Sequence, residues 1–335
     1  MSKQQNSYTY MNILYILGNG FDKAQGMATS YPEFYEYLVN KIKDESALLN
    51  KMKLEITEDT VLWSDMEIGL GEFTTITDNT QEFDDFYFEL SEHLQHYLKT
   101  EDDKYTPTDK LKYKFQSDFT NISQYLGELD KRRFDVFLGT INTSTKDINV
   151  ITLNYTNTLE KILDLNAGVR SKSFSNSTNL HNIIHVHGKL GESIIIGVDH
   201  PAQMKNETFR NNDDIKDIMI KIESNESMKE TRHMQCERLI ANANVIILFG
   251  VSLGETDARW WKLIGQNLSR RKNLAIIQHL YNPGAIVPTQ RQKMRRLERW
   301  QREHLMQRMG VKKENWTDEI KDRLFITVNE SILKL

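Results

Sequence analysis

Four short turns of this 335-residue chain contain the residue types that could bind a ligand or carry out chemistry. Each turn follows a run of apolar residues. Together they supply glycines, hydroxyls, carboxamides, carboxylates and histidines, which can approach phosphates, orient sugar hydroxyls or water, and transfer protons. In chain order the turns are Gly18-Asn19-Gly20-Phe21-Asp22, Asn154-Tyr155-Thr156-Asn157-Thr158, His185-Val186-His187-Gly188 and Gly250-Val251-Ser252-Leu253-Gly254-Glu255-Thr256-Asp257.

The first turn has the glycine spacing that lets backbone N–H groups approach an anionic cofactor at the start of a helix. The dinucleotide-binding fingerprint needs a third glycine, and Lys23 stands at its position. A tight connection from strand to helix is the alternative interpretation of Gly18 and Gly20. The fingerprint alone therefore does not decide the ligand.

The second and third turns offer an amide and two imidazoles. Asn154 follows a predicted strand, where its carboxamide can orient a substrate hydroxyl or a water, while Thr156 or Asn157 can cap the next helix. His185 and His187 are two residues apart, which predicts that both lie on one side of a strand. A histidine beside a glycine is often structural, and His-x-His without nearby carboxylates or cysteines is a weak zinc signal. We therefore expect no metal.

The apolar runs before these turns are rich in Ile, Leu and Val without alternation, which is typical of parallel strands covered by helices on both faces. The helical patterns between them predict an α/β fold with a Rossmann-like, doubly wound, mostly parallel sheet. The carboxyl ends of such strands share one edge, where ligands bind. A polar loop is predicted at Lys172–Asn179, and strands at Asn12–Leu17, Asn149–Leu153, Ile183–His187, Ser193–Gly197, Asn244–Phe249, Asn273–Gln278 and Leu324–Val328.

Residues 31–147 interrupt the alternation with helical patterns and no convincing strand. Ser30-Tyr31-Pro32-Glu33 predicts a helix start, and Phe83–Leu98 carries apolar residues at helical spacing. We predict one domain over residues 12–335 with an acidic, mostly helical insertion at 31–147, and a disordered or extended N-terminus at 1–11. The insertion should cover the ligand edge, because it leaves the sheet directly after the glycine turn.

Composition excludes several classes of protein. The longest nearly apolar run, Val245–Leu253, is about half as long as a membrane span needs, and the N-terminus has no signal pattern. Cys236 is the single cysteine, so neither an internal disulfide nor a cysteine-built zinc site is expected. We therefore expect a cytoplasmic protein with no membrane association.

Charge is unevenly distributed around a net value of −4. Residues 1–165 hold 28 acidic and 16 basic side chains, and residues 166–335 hold 19 and 27. Glu55–Asp103 is strongly acidic, which argues against a nucleic-acid partner on that surface. The basic stretch Arg291–Arg308 is interpreted as a solvated helical face, with an oligomer contact or a nucleic-acid footprint as the alternatives.

The order of these motifs resembles the AbiH family of bacterial phage-abortive-infection proteins over roughly residues 12–280. AbiH proteins in turn resemble distant members of the sirtuin-like superfamily, which implies NAD⁺ as the ligand of a Rossmann-type sheet. The resemblance implies an anti-phage effector. The segments that carry it are Ile16–Asp22, Thr29–Tyr31, Trp63–Glu67, Leu153–Glu160, His185–Gly188 and Gly250–Asp257.

The sirtuin resemblance also implies roles for individual residues. Asn154 matches the catalytic asparagine, and His187 matches the catalytic histidine of a His-Gly motif. Gly18 and Gly20 match a Gly-Ala-Gly turn, and Gly250 and Ser252 a turn that contacts ribose and phosphate. The predicted NAD⁺-binding set is Gly18, Asn19, Gly20, Phe21, Asp22, Thr156, Gly250 and Ser252. Asp65 and Glu67 match the AbiH pattern without a sirtuin counterpart, and they either start a helix or support the site near the ribose; His185 and Asp257 are the other candidate supporting groups.

The departures from sirtuins narrow the chemistry. Sirtuins have serine at the position of Asp22 and aspartate at that of Thr156, and one cysteine cannot supply the four-cysteine zinc module of deacetylases. The resemblance therefore implies hydrolysis of NAD⁺ to ADP-ribose and nicotinamide. Asn154 would position water and ribose hydroxyls, and His187 would be the general base. Asp22 either steers the cationic nicotinamide ring or caps the first helix.

Two alternatives to NAD⁺ hydrolysis stay open at this point. The pocket could bind NAD⁺ or a related nucleotide as a signal without turnover, or the basic half of the chain could make the protein a nucleic-acid-interacting toxin. Because unchecked hydrolysis of NAD⁺ would be toxic to the host, we also expect a homo-oligomer or a partner protein that controls access to the site.

Overall fold

The structure is a computed structural model that describes residues 10–43, 45–141, 143, 145–165, 171–282, 291–330 and 332–333. These residues contain the strands β1 (Tyr10–Leu17), β2 (Thr145–Thr152), β3 (Lys172–Ser175), β4 (Thr178–His185), β5 (Val245–Phe249), β6 (Ala275–Leu280) and β7 (Leu324–Val328). They form one sheet in the order β3-β4-β2-β1-β5-β6-β7. Only the pairing of β3 with β4 is antiparallel within the described part of the chain. The predicted α/β class with a mostly parallel sheet is confirmed.

Helices connect the strands and cover the sheet. In chain order they are α1 (Gly20–Ala24), α2 (Tyr31–Lys41), α3 (Ala47–Glu58), α4 (Met66–Phe73), α5 (Thr80–Lys104), α6 (Asp109–Thr120), α7 (Glu128–Ile141), α8 (Thr158–Leu163), α9 (Glu207–Arg210), α10 (Asp213–Met219), α11 (Lys221–Ser227), α12 (Arg232–Asn242), α13 (Ala258–Arg270), α14 (Arg291–Arg308) and α15 (Asp318–Lys321). None of the described helices is long and apolar enough to cross a membrane.

Both faces of the sheet are buried, which explains the unbroken apolar runs in the sequence. On one face, Tyr15 of β1 packs against Phe119 of α6, and its hydroxyl donates to the Phe119 carbonyl at 3.0 Å. On the other face, Ile16 belongs to a core that also contains Trp261 of α13 and Leu305 of α14. Strands enclosed in this way gain free energy from apolar side chains at every position.

The register of the sheet aligns the strand ends that precede the four turns. Leu17 pairs with Thr152 on one side and with Phe249 on the other, and Thr152 pairs with His185. The chain thus passes to opposite sides of β1 when it forms β2 and β5. This reversal is the topological switch point at which open α/β sheets bind ligands.

The helices between β1 and β2 fall into two groups. Helices α2 to α5 pack on each other and on the segment from Ile194 to Ile220, forming a core separate from the sheet. Helices α6 and α7 cover one face of the sheet. Strand β2 begins at Thr145, so the predicted insertion boundary at residue 147 falls inside a strand. Tyr10 and Met11 belong to β1, and residues 1–9 of the predicted N-terminal segment lie outside the described residues.

Two predictions on the far side of β4 were wrong. Lys172–Asn179 is not simply a loop, because β3 pairs with the beginning of β4 in a hairpin. Ser193–Gly197 is not a strand. Since β4 already pairs with β2 and β3, no place beside it remains, and this buried segment instead packs against α5, where the Ile196 N–H donates to the Tyr87 hydroxyl at 3.2 Å.

Candidate functional site

A cavity of about 700 Å³ lies at the carboxyl ends of β1, β2 and β5. Residues of all four turns contribute to its wall, so the strand ends converge as the sequence predicted. The helical segment between β1 and β2 contributes the facing wall. Its lining includes Gly18, Asn19, Gly20, Asp22, Lys23, Thr29, Ser30, Tyr31, Ser64, Asp65, Glu67, Asn154, Thr156, His187, Gly250, Ser252, Gly254, Thr256, Asp257 and Arg308.

The glycine turns after β1 and β5 press backbone against backbone. A Cβ atom on Gly20 would lie 2.6 Å from the Gly250 Cα, and one on Gly18 would lie 2.6 Å from the Gly250 carbonyl oxygen. Gly250 has φ +67°, a left-handed conformation that strongly favours glycine. These glycines are therefore required by the packing of two turns, whatever the cavity binds.

The N–H groups of the first turn are largely committed to the protein. Gly18 donates to the Phe249 carbonyl at 3.0 Å, Gly20 to the Gly250 carbonyl at 2.9 Å, and Phe21 to the Gly18 carbonyl at 2.8 Å. The Phe21 side chain is buried against Phe115 and Phe249 and does not line the cavity. The turn therefore shapes the wall but does not present these three donors to a phosphate.

Asn154 is buried at the base of the cavity. Its backbone N–H donates to the Thr152 hydroxyl at 3.1 Å, and its carbonyl lies 2.8 Å from His185 Nδ1. The side-chain Nδ2 is buried and has no hydrogen-bond partner among the described residues. A donor held in this way without a partner is costly unless a ligand or water completes it.

His185 supports the Asn154 backbone rather than facing the cavity. Its Nε2 lies 2.8 Å from Glu160 Oε1, so each ring nitrogen faces an acceptor oxygen. Burial alone would raise the pKa of Glu160, but the hydrogen bond and charge of His185 lower it overall. His185 and His187 thus point to different partners, because β4 ends at His185 and the alternation of side chains ends with it.

His187 lies two residues beyond β4 and is 4% exposed. Its Nε2 lies 3.0 Å from Asp257 Oδ1. Because a carboxylate only accepts, Nε2 carries the proton and Nδ1 keeps a lone pair. Nδ1 is buried with no partner in the part of the chain that the structure describes. Burial, reinforced by the positive charge of Lys221, lowers the pKa of His187, so the ring is neutral near pH 7.

Asp257 also belongs to a buried ionic network. Lys221, the first residue of α11, is 5% exposed and places Nζ 3.0 Å from Asp257 Oδ1. The same ammonium donates to Glu67 Oε2 and to the Thr256 carbonyl, each at 2.8 Å. All three of its protons are therefore used. The network connects α4, through Glu67, to the imidazole of His187.

A family model described as bacteriophage abortive infection AbiH matches residues 14–279. The chain belongs to the AbiH family. Membership implies a role in the abortive infection of phage-infected bacteria. All four turns lie within the matched region of this AbiH protein, whereas Arg308 of α14 lies beyond it. No curated protein matches the sequence.

Asp22 of this AbiH protein is 1% exposed at the start of α1. Its Oδ2 accepts a hydrogen bond from the Thr156 hydroxyl at 2.5 Å, while Oδ1 is buried without a partner among the residues described. The side chain does not donate or accept as a helix cap. Burial raises the pKa of Asp22 to about 6, against the polar contacts of Thr156, Thr158 and the Asn154 side chain, which favour the charged form.

Asp22→Asn should therefore stabilise the ligand-free protein at neutral pH. Since the folded-state pKa of about 6 exceeds the ordinary aspartate value of 3.8, ionised Asp22 costs stability as pH rises through 6. We expect the variant to gain about 3 kcal/mol in unfolding free energy at pH 7, and to lose this advantage near pH 4. Urea unfolding from pH 4 to pH 8 measures the difference.

Asp118→Asn is the matched control for this prediction. Asp118 is equally buried, but it pairs with Lys114 at 2.5 Å and accepts from the Leu333 N–H at 2.8 Å. Removing a charge that has partners should destabilise the protein at neutral pH. If Asp22→Asn destabilised the AbiH protein in the same way, the buried carboxylate of Asp22 would not carry the expected cost in unfolding free energy.

The remaining predicted residues lie at the edge of the site. Asp65 lines the cavity and caps α4, because its Oδ1 accepts from the Glu67 N–H at 3.1 Å. Asn19 accepts from the Thr29 hydroxyl at 2.6 Å, and Gly250 and Ser252 line the wall opposite. Thr156, which also lines the cavity, is held by Asp22.

Lys221 was missed from the sequence. It stands in the apolar segment Ile218–Ile222, but a lysine is seldom fully buried, so its ammonium was expected to reach solvent. Its ammonium is buried because Glu67, the Thr256 carbonyl and Asp257 surround it, and no pattern in the neighbouring sequence indicates these contacts. The Gly-Glu-Thr-Asp segment that ends at Asp257 was the one signal that an acidic group stood near His187.

Proposed function

We propose that this AbiH protein hydrolyses NAD⁺ to ADP-ribose and nicotinamide. The observation that carries the proposal is that three residues lining one cavity each hold a buried polar atom with no hydrogen-bond partner among the described residues: His187 Nδ1, Asn154 Nδ2 and Asp22 Oδ1. They are a neutral base, a hydrogen-bond donor and a carboxylate oxygen. Such a set matches what cleavage of a cationic N-glycoside requires.

The reaction needs a base and no acid. Water attacks the anomeric carbon and forms a C–O bond while the C–N bond to nicotinamide breaks. The pyridinium nitrogen takes the bonding pair and leaves as a neutral molecule, so no proton has to be supplied to it. The proton lost by water passes to His187 Nδ1, which the hydrogen bond from Nε2 to Asp257 keeps available.

Asn154 and Asp22 have complementary parts in this proposal. The Asn154 amide donates to the attacking water or to a ribose hydroxyl and holds it in place. The Asp22 carboxylate faces the positive charge that passes from the pyridinium ring to the sugar as the bond breaks. A cationic substrate also relieves the cost of the ionised, unpartnered Oδ1.

The cavity has room for the substrate. Its volume of about 700 Å³ falls inside the range of roughly 300–1,000 Å³ typical of small-molecule sites. Lys23 and Arg308 line it as basic side chains, and we propose that they face the pyrophosphate in place of the committed N–H groups of the glycine turn. The likeness of the four turns to sirtuin motifs supports the same ligand.

Hydrolysis of NAD⁺ would account for a role in abortive infection, because loss of NAD⁺ would arrest the host before phage are released. We propose that the protein acts in the cytoplasm. A homo-oligomer or a partner protein would restrain it until infection, by controlling access to the cavity.

The test is a measurement of NAD⁺ in cells and in vitro. Cells that express the protein should lose most of their NAD⁺ after phage challenge and release fewer phage, while His187→Ala cells should do neither. Purified protein should convert NAD⁺ to ADP-ribose and nicotinamide, and chromatography of the products measures this conversion. Protection with unchanged NAD⁺ would refute depletion, and calorimetric binding without product would favour a sensor.

A further inference from the structure

The ionic network beside His187 contains more charged groups than a general base requires. Orienting the imidazole needs only the Asp257 carboxylate, yet Lys221 and Glu67 are also present. Lys221 and Glu67 add a cation and an anion that touch no part of the imidazole themselves. Burying such a pair is costly, and an apolar pair of similar volume would often be at least as stable. The presence of the pair therefore calls for a role other than stability.

We propose that Lys221 is a positioning residue, which holds Asp257 in place between α4 and His187 and so fixes the imidazole with its proton on Nε2. The hydrogen bonds define the order of contacts. Glu67 Oε2 and the Thr256 carbonyl hold the ammonium, the ammonium holds Asp257 Oδ1, and that same oxygen receives His187 Nε2. Because Asp257 Oδ1 serves two donors, its position depends on both.

The charges in the network support this role. Burial would lower the pKa of Lys221, but Asp257 and Glu67 raise it overall, so the lysine is always charged. Burial would likewise raise the pKa of Asp257, and Lys221 with His187 brings it well below its usual range. The cation is thus permanent, and it opposes a second proton on His187.

Charged groups on the surrounding elements also influence the pKa values within this ionic network. Burial raises the pKa of Glu67, against the opposing charge and hydrogen bond of Lys221. The groups that act on His187 or on its partner Asp257 are Lys221 of α11, Arg232 of α12, Glu67 and Asp65 at α4, and Asp199.

The protonation of His187 can be followed directly by NMR of its ring nitrogens. In the full chain, Lys221→Met should raise the titration midpoint of His187 by about one pH unit or more, because Asp257 then acts on the ring without the opposing cation. Glu67→Gln should leave the midpoint unchanged or lower it slightly, because it removes negative charge. An upward shift in Lys221→Met without one in Glu67→Gln distinguishes the action of Lys221 on His187 from a general loosening of the network, which would move both variants toward an ordinary histidine.

Two further variants control for the unpaired charge of Glu67 and for the general effect of removing a buried lysine. Lys221→Met leaves Glu67 buried without its cation, so the double variant Glu67→Gln/Lys221→Met removes both charges and should show the same upward shift. Lys53→Met is the matched control. It removes another buried lysine, whose ammonium donates to the Ile42 carbonyl at 2.9 Å. Lys53 does not line the cavity, so its replacement should leave the titration midpoint of His187 unchanged.

The catalytic consequence rests on the proposed NAD⁺ hydrolysis, and the NMR result does not. If the wild type hydrolyses NAD⁺, the acidic limb of the pH profile of kcat should move upward in Lys221→Met by the same amount as the His187 midpoint. If the wild type is inactive, the proposed function fails while the titration still decides the role of Lys221. An unshifted His187 in both Lys221 variants, or equal upward shifts in Lys221→Met and Glu67→Gln, would overturn the inference.

Discussion

His187→Ala and Asn154→Ala should each lower NAD⁺ turnover by about 10²–10⁴-fold, the range that a general base or a positioning group contributes. The first variant removes the Nδ1 lone pair that accepts the proton from water. The second removes the amide that holds the water or a ribose hydroxyl. Chromatography of ADP-ribose and nicotinamide formed by equal amounts of purified protein measures both losses.

Folding should survive both changes, although both side chains are buried. His187 Nδ1 has no hydrogen-bond partner among the described residues, and the Asn154 side chain has only the nearby Asp22 carboxylate. Asp257 keeps Lys221 when the imidazole is removed. His279→Ala is the matched control, since His279 is also buried, lies 2.6 Å from the Thr327 hydroxyl, and does not line the cavity. It should lower the thermal midpoint and spare turnover. Full activity in both cavity variants would end the assignment of this site.

Gly20→Val should destabilise the whole fold rather than only block a ligand. Its Cβ would lie 2.6 Å from the Gly250 Cα, and both sides of that contact are backbone at the ends of central strands. Overpacking of a well-packed core usually costs about 1–3 kcal/mol, and here no flexible side chain can move aside. We expect a loss of at least about 3 kcal/mol in unfolding free energy, measured by urea denaturation.

The control for this effect is Gly139→Ala. Gly139 lies in α7, and among the described residues no atom outside the adjacent turns of its own helix lies within 4 Å of the position that a methyl group would take. Alanine there should stabilise the helix by about 0.5–1 kcal/mol. A stable Gly20→Val protein that merely fails to bind NAD⁺ would contradict the packing argument. It would favour the interpretation of Gly20 as a phosphate-approach residue.

The sequence was most informative where local pattern and topology coincide. Unbroken runs such as Val245–Phe249 predict enclosed parallel strands, and the rule that their carboxyl ends share one edge brings Asp22, Asn154 and His187 to one cavity without any knowledge of distances. The order of the strands was not predictable in this way. It depends on contacts between strands that are far apart in the sequence.

Contacts between distant segments explain the remaining errors. Ser193–Gly197 has the composition of a strand, yet it lies outside the sheet because both edges of β4 are occupied. Lys221 resembles a surface lysine until Glu67 and Asp257 enclose it. The glycine turn resembles a phosphate site, and its N–H groups are used by Phe249 and Gly250 instead. Each outcome depends on tertiary partners that no sequence window contains.

The insertion of β1 between β2 and β5 has a consequence for biosynthesis. β1 leaves the ribosome first, but the wall that Gly250 forms against it, and the Asp257 carboxylate, belong to a much later part of the chain. A nascent polypeptide that stops before these residues has no closed pocket and no oriented His187. If the proposed hydrolysis of NAD⁺ holds, copies of the chain that end before Gly250 and Asp257 are expected to be inactive.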